Sequence, residues 1–372
     1  MRAVILSHRA ADPERRSRYH ALAARGAEVW LAVPHSWHPS YRETPYLSDS
    51  RDDGALHLVP VHVRGALADG APARWNTRTI SRLLRDIRPD LVQVEEQPDT
   101  QVAAVTTALA RRLALPTVLL VQAPVPGATI MQRRYARHSL SGAGGIIATS
   151  SVVADQLAAV THAHRAIIPA LGVTPPPTPA VGPEESFVIG FVGRLVARRG
   201  LDVLLRACVK VLGDWRLLVA GSGPDQEPLE QLAERLGVAA RVSWLGSRPA
   251  AEWPELWSSI HCLAVPSRPM AGGFDTALPW LLDCMAHGVP VVASDAGAMP
   301  ELVEPAGRIV PADDPEALAV ALRDLQQNPE SRVALGHAVR RRVLEEFTPD
   351  ALAARTMAAW DRVRARSNAA TP

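Results

Sequence analysis

Short apolar runs, each closed by glycine, proline or a polar cluster and followed by a stretch of helical period, recur along the whole chain. In the second half they are Phe187–Val192, Trp215–Ala220, Val242–Leu245, Ile260–Val265 and Val289–Ser294. Helical patterns at Leu201–Val211, Gln226–Leu236 and Pro279–His287 lie between them. The first half repeats the alternation. Its strand candidates are Ala3–Ser7, Glu28–Val33, Leu56–Val63, Pro89–Val94, Pro116–Val121 and Gly145–Ser150. Its helix candidates are Pro13–Arg25, stopped by Gly26, then Thr77–Ile87, Thr100–Leu113 and Val152–Val160. Runs that are apolar at every position predict strands covered on both faces, as in a parallel sheet. Strands alternating with helices predict doubly wound α/β architecture, with ligand groups on the loops after strand C-termini. Pro315–Gln326, Arg332–Phe347 and Ala351–Arg366 are helical by period.

A chain of 372 residues is long for one such sheet and predicts two. Thr174–Glu185, reading TPPPTPAVGPEE, marks the boundary as a Pro-rich linker crossed by few contacts. The expected division is 1–173, a linker at 174–186, and a second domain from 187, with the active site in the cleft at the boundary.

Composition narrows the class. Hydrophobic residues make up 47% of the chain and mean hydropathy is +0.01, ordinary for a protein with ample core. No apolar run approaches the roughly 18 residues of a membrane span. The first strand is too short for a signal h-region, so a cytoplasmic location is expected. Cys208, Cys262 and Cys284 are widely spaced in apolar segments and suggest neither a disulfide framework nor a zinc site. Residues 1–172 hold twenty arginines against fourteen carboxylates, net +6, and the remainder is net −4. Gln101–Ser150 has five arginines and no acid, three of them in the run Gln132–His138. A solvated helix face is the simpler account of that cluster. Weak peripheral contact with an anionic inner membrane face, through the basic N-terminal half, is the alternative. Nucleic acid is not an expected partner, since no basic, aromatic-laced motif is present.

Candidate chemistry concentrates after Phe187–Val192. Gly193-Arg194, and then Arg199-Gly200, stand at the entry to the helix from Leu201. A strand, a tight turn with two arginines and a helix start make an anion site, and arginine forks suit a diphosphate. A loop with solvated arginines is the plainer alternative. Gly221-Ser222-Gly223-Pro224, Ser267 and Asp295-Ala296-Gly297 end the neighbouring strands. No Gly-x-Gly-x-x-Gly follows the first strand, which excludes a nicotinamide dehydrogenase of the usual kind. Neither an Asp-x-Asp loop nor a His cluster asks for a metal, so no metal or other cofactor is expected.

Taken in order, VGRL-x4-RG, GSGP, WLG, VPS and LLDCMAHGVPVVASDAG-x-PELV resemble the donor half of family 4 glycosyltransferases, retaining enzymes of the GT-B fold. The likeness is close over about 187–330 and looser before it. It implies two Rossmann-like domains facing a cleft, a last helix (349–372) crossing back to the first domain, and a hinge near Thr348-Pro349. It further implies transfer of a sugar from a UDP- or GDP-sugar to a glycan, lipid or small-molecule acceptor. Carried over residue by residue, Arg194, Arg199, Asp275 and Gln122 become catalytic candidates. Gly193, Gly221, Ser267, Gly273, Phe274, Thr276, Asp283 and Gly297 become donor contacts, and Ser7, His8, Glu95 and Glu96 acceptor-side contacts.

Four departures from the family pattern stand out. Its Glu-x7-Glu is Asp275-x7-Asp283 here, which keeps the charge and shortens each reach by about 1.5 Å. The loop from Ser267 is also longer than usual, so Gly273-Phe274 can instead match the family's Gly-Phe and leave no acid in the first position. The Gly-Gly loop after the first strand reads Ser7-His8-Arg9-Ala10, and Gln122 stands where many members carry His. Gln122 can hold a sugar hydroxyl but cannot titrate. These departures keep open a second reading, a catalytically silent homologue that binds a nucleotide or a protein partner.

Overall fold

A computed structural model of the chain describes residues 1–38, 44–49, 52–65, 74–123, 129–161, 163–180, 182–183, 186–269 and 279–369. The chain divides into two compact units, Met1–Gly172 with Pro349–Pro372, and Val173–Thr348.

The first unit contains β1 (Arg2–Leu6), α1 (Ser17–Ala24), β2 (Glu28–Pro34), β3 (Leu56–Val61), α2 (Thr77–Ile87), β4 (Leu91–Val94), α3 (Gln101–Arg112), β5 (Thr117–Val121), α4 (Ile130–Gly142), β6 (Gly145–Ala148), α5 (Ser151–Ala158) and β7 (His164–Ile167). The strands are parallel in the order β7-β6-β5-β4-β1-β2-β3. Asp52–Asp53 adds a short antiparallel edge beyond β3. A two-residue charged edge offers little template for pairing with another chain. Ala3 and Ile5 of β1 pack into one apolar layer, Val4 and Leu6 into the other, so the sheet is covered on both faces. Side-chain caps open the helices: Asn76 for α2, Thr100 for α3, Ser150 for α5, and a Thr129–Gln132 capping box for α4.

The second unit runs β8 (Phe187–Val192), α6 (Leu201–Cys208), β9 (Trp215–Ala220), α7 (Gln226–Arg235), β10 (Val242–Gly246), α8 (Trp253–Ser258), β11 (Cys262–Val265), α9 (Pro279–Ala286), β12 (Val291–Ser294), α10 (Met299–Val303), β13 (Arg308–Val310), α11 (Pro315–Gln327) and α12 (Pro329–Glu346). Its sheet is parallel in the order β10-β9-β8-β11-β12-β13. Ile189 and Phe191 of β8 enter one layer, Val188 and Val192 the other. Both units are therefore doubly wound α/β sheets. Cys208, Cys262 and Cys284 are buried free thiols within the second.

The final helix, α13 (Pro349–Ala369), belongs to the first unit. Its Leu352, Ala353, Trp360 and Val363 join the layer on α1. The fully buried Trp360 donates its indole N–H to Gln93 Oε1 in β4, at 2.6 Å.

Several expectations are corrected. The helix expected over Pro13–Arg25 begins as a 3-10 turn, Pro13–Arg15, capped by Asp12. The buried Arg16 turns back to donate to the Ala10 and Ala11 carbonyls, and α1 starts only at Ser17. The segment expected as a linker is bound along the second unit. Ala180 N–H donates to His287 O at 2.7 Å, and the Arg340 guanidinium donates to the carbonyls of Pro176 and Pro177. Helix α4 carries the arginine cluster expected on a solvated helix face, whereas helices α8 and α10 and strand β13 have no counterpart among the expected elements.

Candidate functional site

In the second sheet the chain proceeds from β8 outward through β9 and β10, then returns to the other side of β8 as β11. The crevice outside the C-terminal ends of β8 and β11 is thus the switch point, where open α/β sheets take ligands. Gly193 and Arg194 follow β8, and Ser267 follows β11 by one residue after Pro266.

Backbone contacts hold these loops together. Gly193 N–H donates to Ala220 O at 3.0 Å, Leu195 N–H to Ser222 O at 2.9 Å, and Gly221 N–H to Gly246 O at 2.8 Å. Two glycines make the close approach possible. A Cβ on Gly221 (φ +154°) would lie 1.9 Å from the Gly193 carbonyl oxygen, and one on Gly200 (φ +69°) 1.8 Å from that of Pro266. Gly221 therefore seats the loop that bears Gly193.

Arg194 is exposed, while Arg199 lies half-buried with its guanidinium 5.8 Å from the Trp280 ring centre. The Ser267 hydroxyl is buried and has no hydrogen-bond partner among the described residues; its carbonyl accepts from Ser294 Oγ at 2.5 Å. Arg268, which the sequence reading passed over, clamps the loop after β11 to the start of α6. It grips Asp202 with two bonds of 2.8 and 2.7 Å, pairs with Asp313, and donates to Ala197 O. The Asp202 bonds first, and Asp313 beside them, push the guanidinium above its ordinary range against the opposing effect of burial. Its signal was position, the residue directly after VPS.

Asp283, on α9, accepts the Trp257 indole N–H on Oδ2 at 2.6 Å, and His287 Nδ1 lies 3.7 Å from the same oxygen. Gly297 (φ +60°) forms the turn after β12. The helix that follows, α10, has five residues, too few for a strong dipole, so positive charge at this end rests on the arginines. Gly273, Phe274, Asp275 and Thr276 lie outside the described residues.

The first sheet has the same topology, with its switch point between β1 and β4. The adjacent strands β5, β4 and β1 end in Gln122, Glu95-Glu96 and Ser7-His8, so the separate acceptor-side candidates converge. Their roles then divide. Glu95 is interior: Oε1 accepts Arg18 Nη2 at 2.5 Å and Gln93 Nε2 at 2.7 Å, while Oε2 takes the Tyr19 hydroxyl. Ser7 is buried 3.4 Å from the same hydroxyl. Burial first, and the Glu95 carboxylate second, push the Tyr19 phenol well above its usual value. Burial acts most strongly on Arg18 and opposes its charge, but Glu95 and Tyr19 together outweigh it and raise the guanidinium. Ser7 and Glu95 lie in a buried network that fastens α1 to β4 and, through Gln93, to α13.

Glu96 and His8 face the loop instead. Glu96 Oε1 accepts the His8 backbone N–H at 2.7 Å and lies 2.8 Å from His8 Nδ1. The Trp37 ring meets the imidazole edge-on, with centroids 5.5 Å apart. Arg9, not singled out from sequence, donates to Gln122 Oε1. The departure of SHRA from a Gly-Gly loop was the available clue. Among the described residues no group of three His, Cys, Asp or Glu side chains is placed to hold a metal, and no helix is long and apolar enough to cross a membrane.

Comparison with known proteins bears on both units. Residues 19–170 match the family described as Glycosyltransferase Family 4, and 186–328 match Glycosyl transferases group 1. A GDP-mannose-dependent alpha-(1-6)-phosphatidylinositol monomannoside mannosyltransferase of Mycolicibacterium smegmatis is 34% identical over 167 residues, 43% of this chain and 44% of that one. The MMP alpha-(1->4)-mannosyltransferase of Mycolicibacterium hassiacum is 31% identical over 63% of this chain and 57% of its own. The chain thus spans under half of the first relative and just over half of the second. Among solved structures, sucrose-phosphate synthase from Thermosynechococcus elongatus superposes with a TM-score of 0.71 over 98% of this chain and all of its own, at 18% identity. Both units being matched in order, and the fold with them, the chain belongs to the family 4 glycosyltransferases of the GT-B fold.

Proposed function

We propose that the chain transfers a sugar, with retention of anomeric configuration and without a metal, from a nucleoside-diphosphate sugar to a hydroxyl acceptor. The observation that carries this is the second unit's switch point, where backbone contacts hold Gly193 and Arg194 beyond β8 beside Ser267 beyond β11. As the bond to the anomeric carbon breaks, charge develops on the diphosphate. Arg194 and Arg199 meet that charge, and fixed positive groups there stabilise the transition state rather than the ground state. Asp283 is held through Oδ2 by Trp257, which orients the carboxylate for the ribose diol. The departing phosphate oxygen takes the acceptor proton in a front-face transfer.

Names of relatives support GDP-mannose as the first donor to try, with UDP-sugars next, and phosphatidylinositol or inositol phosphate derivatives as acceptors. The basic face of α4, where Arg133, Arg134 and Arg137 are exposed beside Ile130 and Met131, supports weak peripheral contact with an anionic membrane.

Thermal stability with GDP, UDP and ADP, with and without chelator, tests the donor reading. One diphosphate is expected to stabilise the protein, unaffected by chelator and lost in Arg194→Ala, which also lowers turnover by about 10²–10³. No shift with any of the three moves the silent-homologue reading ahead, and an inverted product overturns the mechanism.

A further inference from the structure

We propose that His8 is a substrate-contacting residue whose Nε2 accepts a hydrogen bond from a hydroxyl of a polyol acceptor, with Glu96 acting through it as a positioning residue. This rests on the transferase reading above and assigns the acceptor's contact to one atom.

The juxtaposition of three features carries it. First, Glu96 Oε1 receives both the His8 backbone N–H and the ring nitrogen Nδ1, at 2.7 and 2.8 Å. A carboxylate oxygen offers only lone pairs, so the arrangement that bonds is the one with the proton on Nδ1. In the neutral imidazole Nε2 then keeps its lone pair and is an acceptor, not a donor. Second, Trp37, itself buried, meets the ring edge-on and fixes its plane. Third, 24% of the His8 side chain is open while Glu96 is 9% exposed, and Nε2 makes no hydrogen bond among the described residues. The backbone bond alone suffices to tie the loop after β1; the ring bond adds a fixed tautomer that loop anchoring does not need. The position, outside the ends of β1 and β4, is where this sheet topology presents ligand groups.

Neighbouring groups do not serve the same purpose. Glu95 is occupied in the interior, and the Gln122 side-chain oxygen is taken by Arg9. His8 is therefore the group at this end with a defined lone pair directed away from its own anchoring bonds.

The test uses the full chain labelled with ¹⁵N-histidine and titrated with two probes, myo-inositol and D-mannose, without donor. The free protein should show His8 with Nδ1 protonated and Nε2 bare, and at least one polyol should move the Nε2 resonance saturably. His8→Phe preserves the aromatic contact with Trp37. It should weaken binding of that polyol about tenfold, the worth of one hydrogen bond, while diphosphate affinity changes less than about twofold. Glu96→Gln, which still accepts from Nδ1–H, should keep the tautomer and the binding. Glu96→Leu should scramble the tautomer and lose the binding even where unfolding measurements show an intact fold. A protonated Nε2 in the free protein, or no saturable shift with either polyol, overturns the proposal. Failure of diphosphate binding with an intact polyol response would instead refute the donor reading and leave this site standing.

Discussion

Gly221→Ala isolates the backbone contact on which the second unit's switch point depends. The added Cβ would stand 1.9 Å from the Gly193 carbonyl oxygen, and contacts under 3.0 Å essentially never occur, so one loop must yield by about 1.1 Å. Neither moves easily. The strands behind them are in register from Phe187–Trp215 to Val192–Ala220, and Gly193 N–H is bonded to Ala220 O. Backbone strain at φ +154° adds about 1–3 kcal/mol and the overlap another 1–3, for a stability loss of about 2–6 kcal/mol. A displacement near 1 Å at a positioning loop costs about 10²-fold in turnover, so diphosphate affinity should fall by a comparable factor. Gly237→Ala is the matched control. It shares positive φ (+71°) but meets nothing within 4 Å, so it should lose only about 1–2 kcal/mol and leave diphosphate binding intact. Urea unfolding followed by tryptophan fluorescence, together with calorimetric titration of GDP or UDP, reads both quantities. Equal losses in the two variants would mean that only strain matters and that the Gly193 contact does not seat the site.

Two further outcomes are expected of the scaffold. Trp360→Phe keeps most of the apolar packing but strands the buried Gln93 carbonyl, so unfolding should register a loss of about 1–3 kcal/mol; a change under 0.5 kcal/mol would show that α13 is not held by this bond. His261 accepts the Val188 N–H on Nδ1, and burial first, with Arg332 second, holds its pKa below the ordinary 6.5. Its neutral form is favoured by folding, so that contribution is fully present above about pH 6.5 and is lost as pH falls through that value toward the lowered one. Thermal melts between pH 7.5 and 5 should fall more steeply in the wild type than in His261→Asn, and parallel profiles would exclude the effect.

What could be read from the sequence follows what burial imposes on it. Strands such as β8 and β5 were legible because both faces are covered, which leaves a nearly unbroken apolar run, Thr117 at the start of β5 being the polar exception. Helix α4 was legible only as a basic helix face and not by its bounds, since only Ala136, Ser139 and Leu140 are buried and the exposed remainder mixes Ile130 and Met131 with polar and basic residues. Strand β13 has three residues, too few to show a period. The Pro-rich boundary reads as a linker by composition, yet its prolines leave carbonyls exposed to donors, and Arg340 supplies them. Gly221 reads as a donor contact from the sequence, and the structure adds a demand the sequence does not show, its close approach to the Gly193 carbonyl. Glu95 and Glu96 are adjacent and chemically alike in sequence. Their separation into an interior ion pair and a loop anchor depends on Arg18 and Tyr19, more than seventy residues away.

That division bears on how the two proposed ends of the reaction tolerate change. In the second unit the loops are placed largely by carbonyls and N–H groups, at Gly221 and Gly200 at distances that admit no Cβ, with the Arg268 side chain adding one clamp. Almost any substitution at Gly221 acts on fold and site together, which is why this half carries the readable motifs. In the first unit the corresponding loop is held by side chains, Glu96 to His8 and Arg9 to Gln122, over a separate interior network of Arg18, Tyr19, Glu95 and Gln93. Exchanging the outer layer alters what the site can hydrogen-bond while the inner layer still fixes α1 and α13 to the sheet. On the proposed reading, this chain's acceptor end can therefore change without disturbing its donor geometry, and SHRA, where the resemblance leads one to expect a Gly-Gly loop, is an exchange confined to the outer layer.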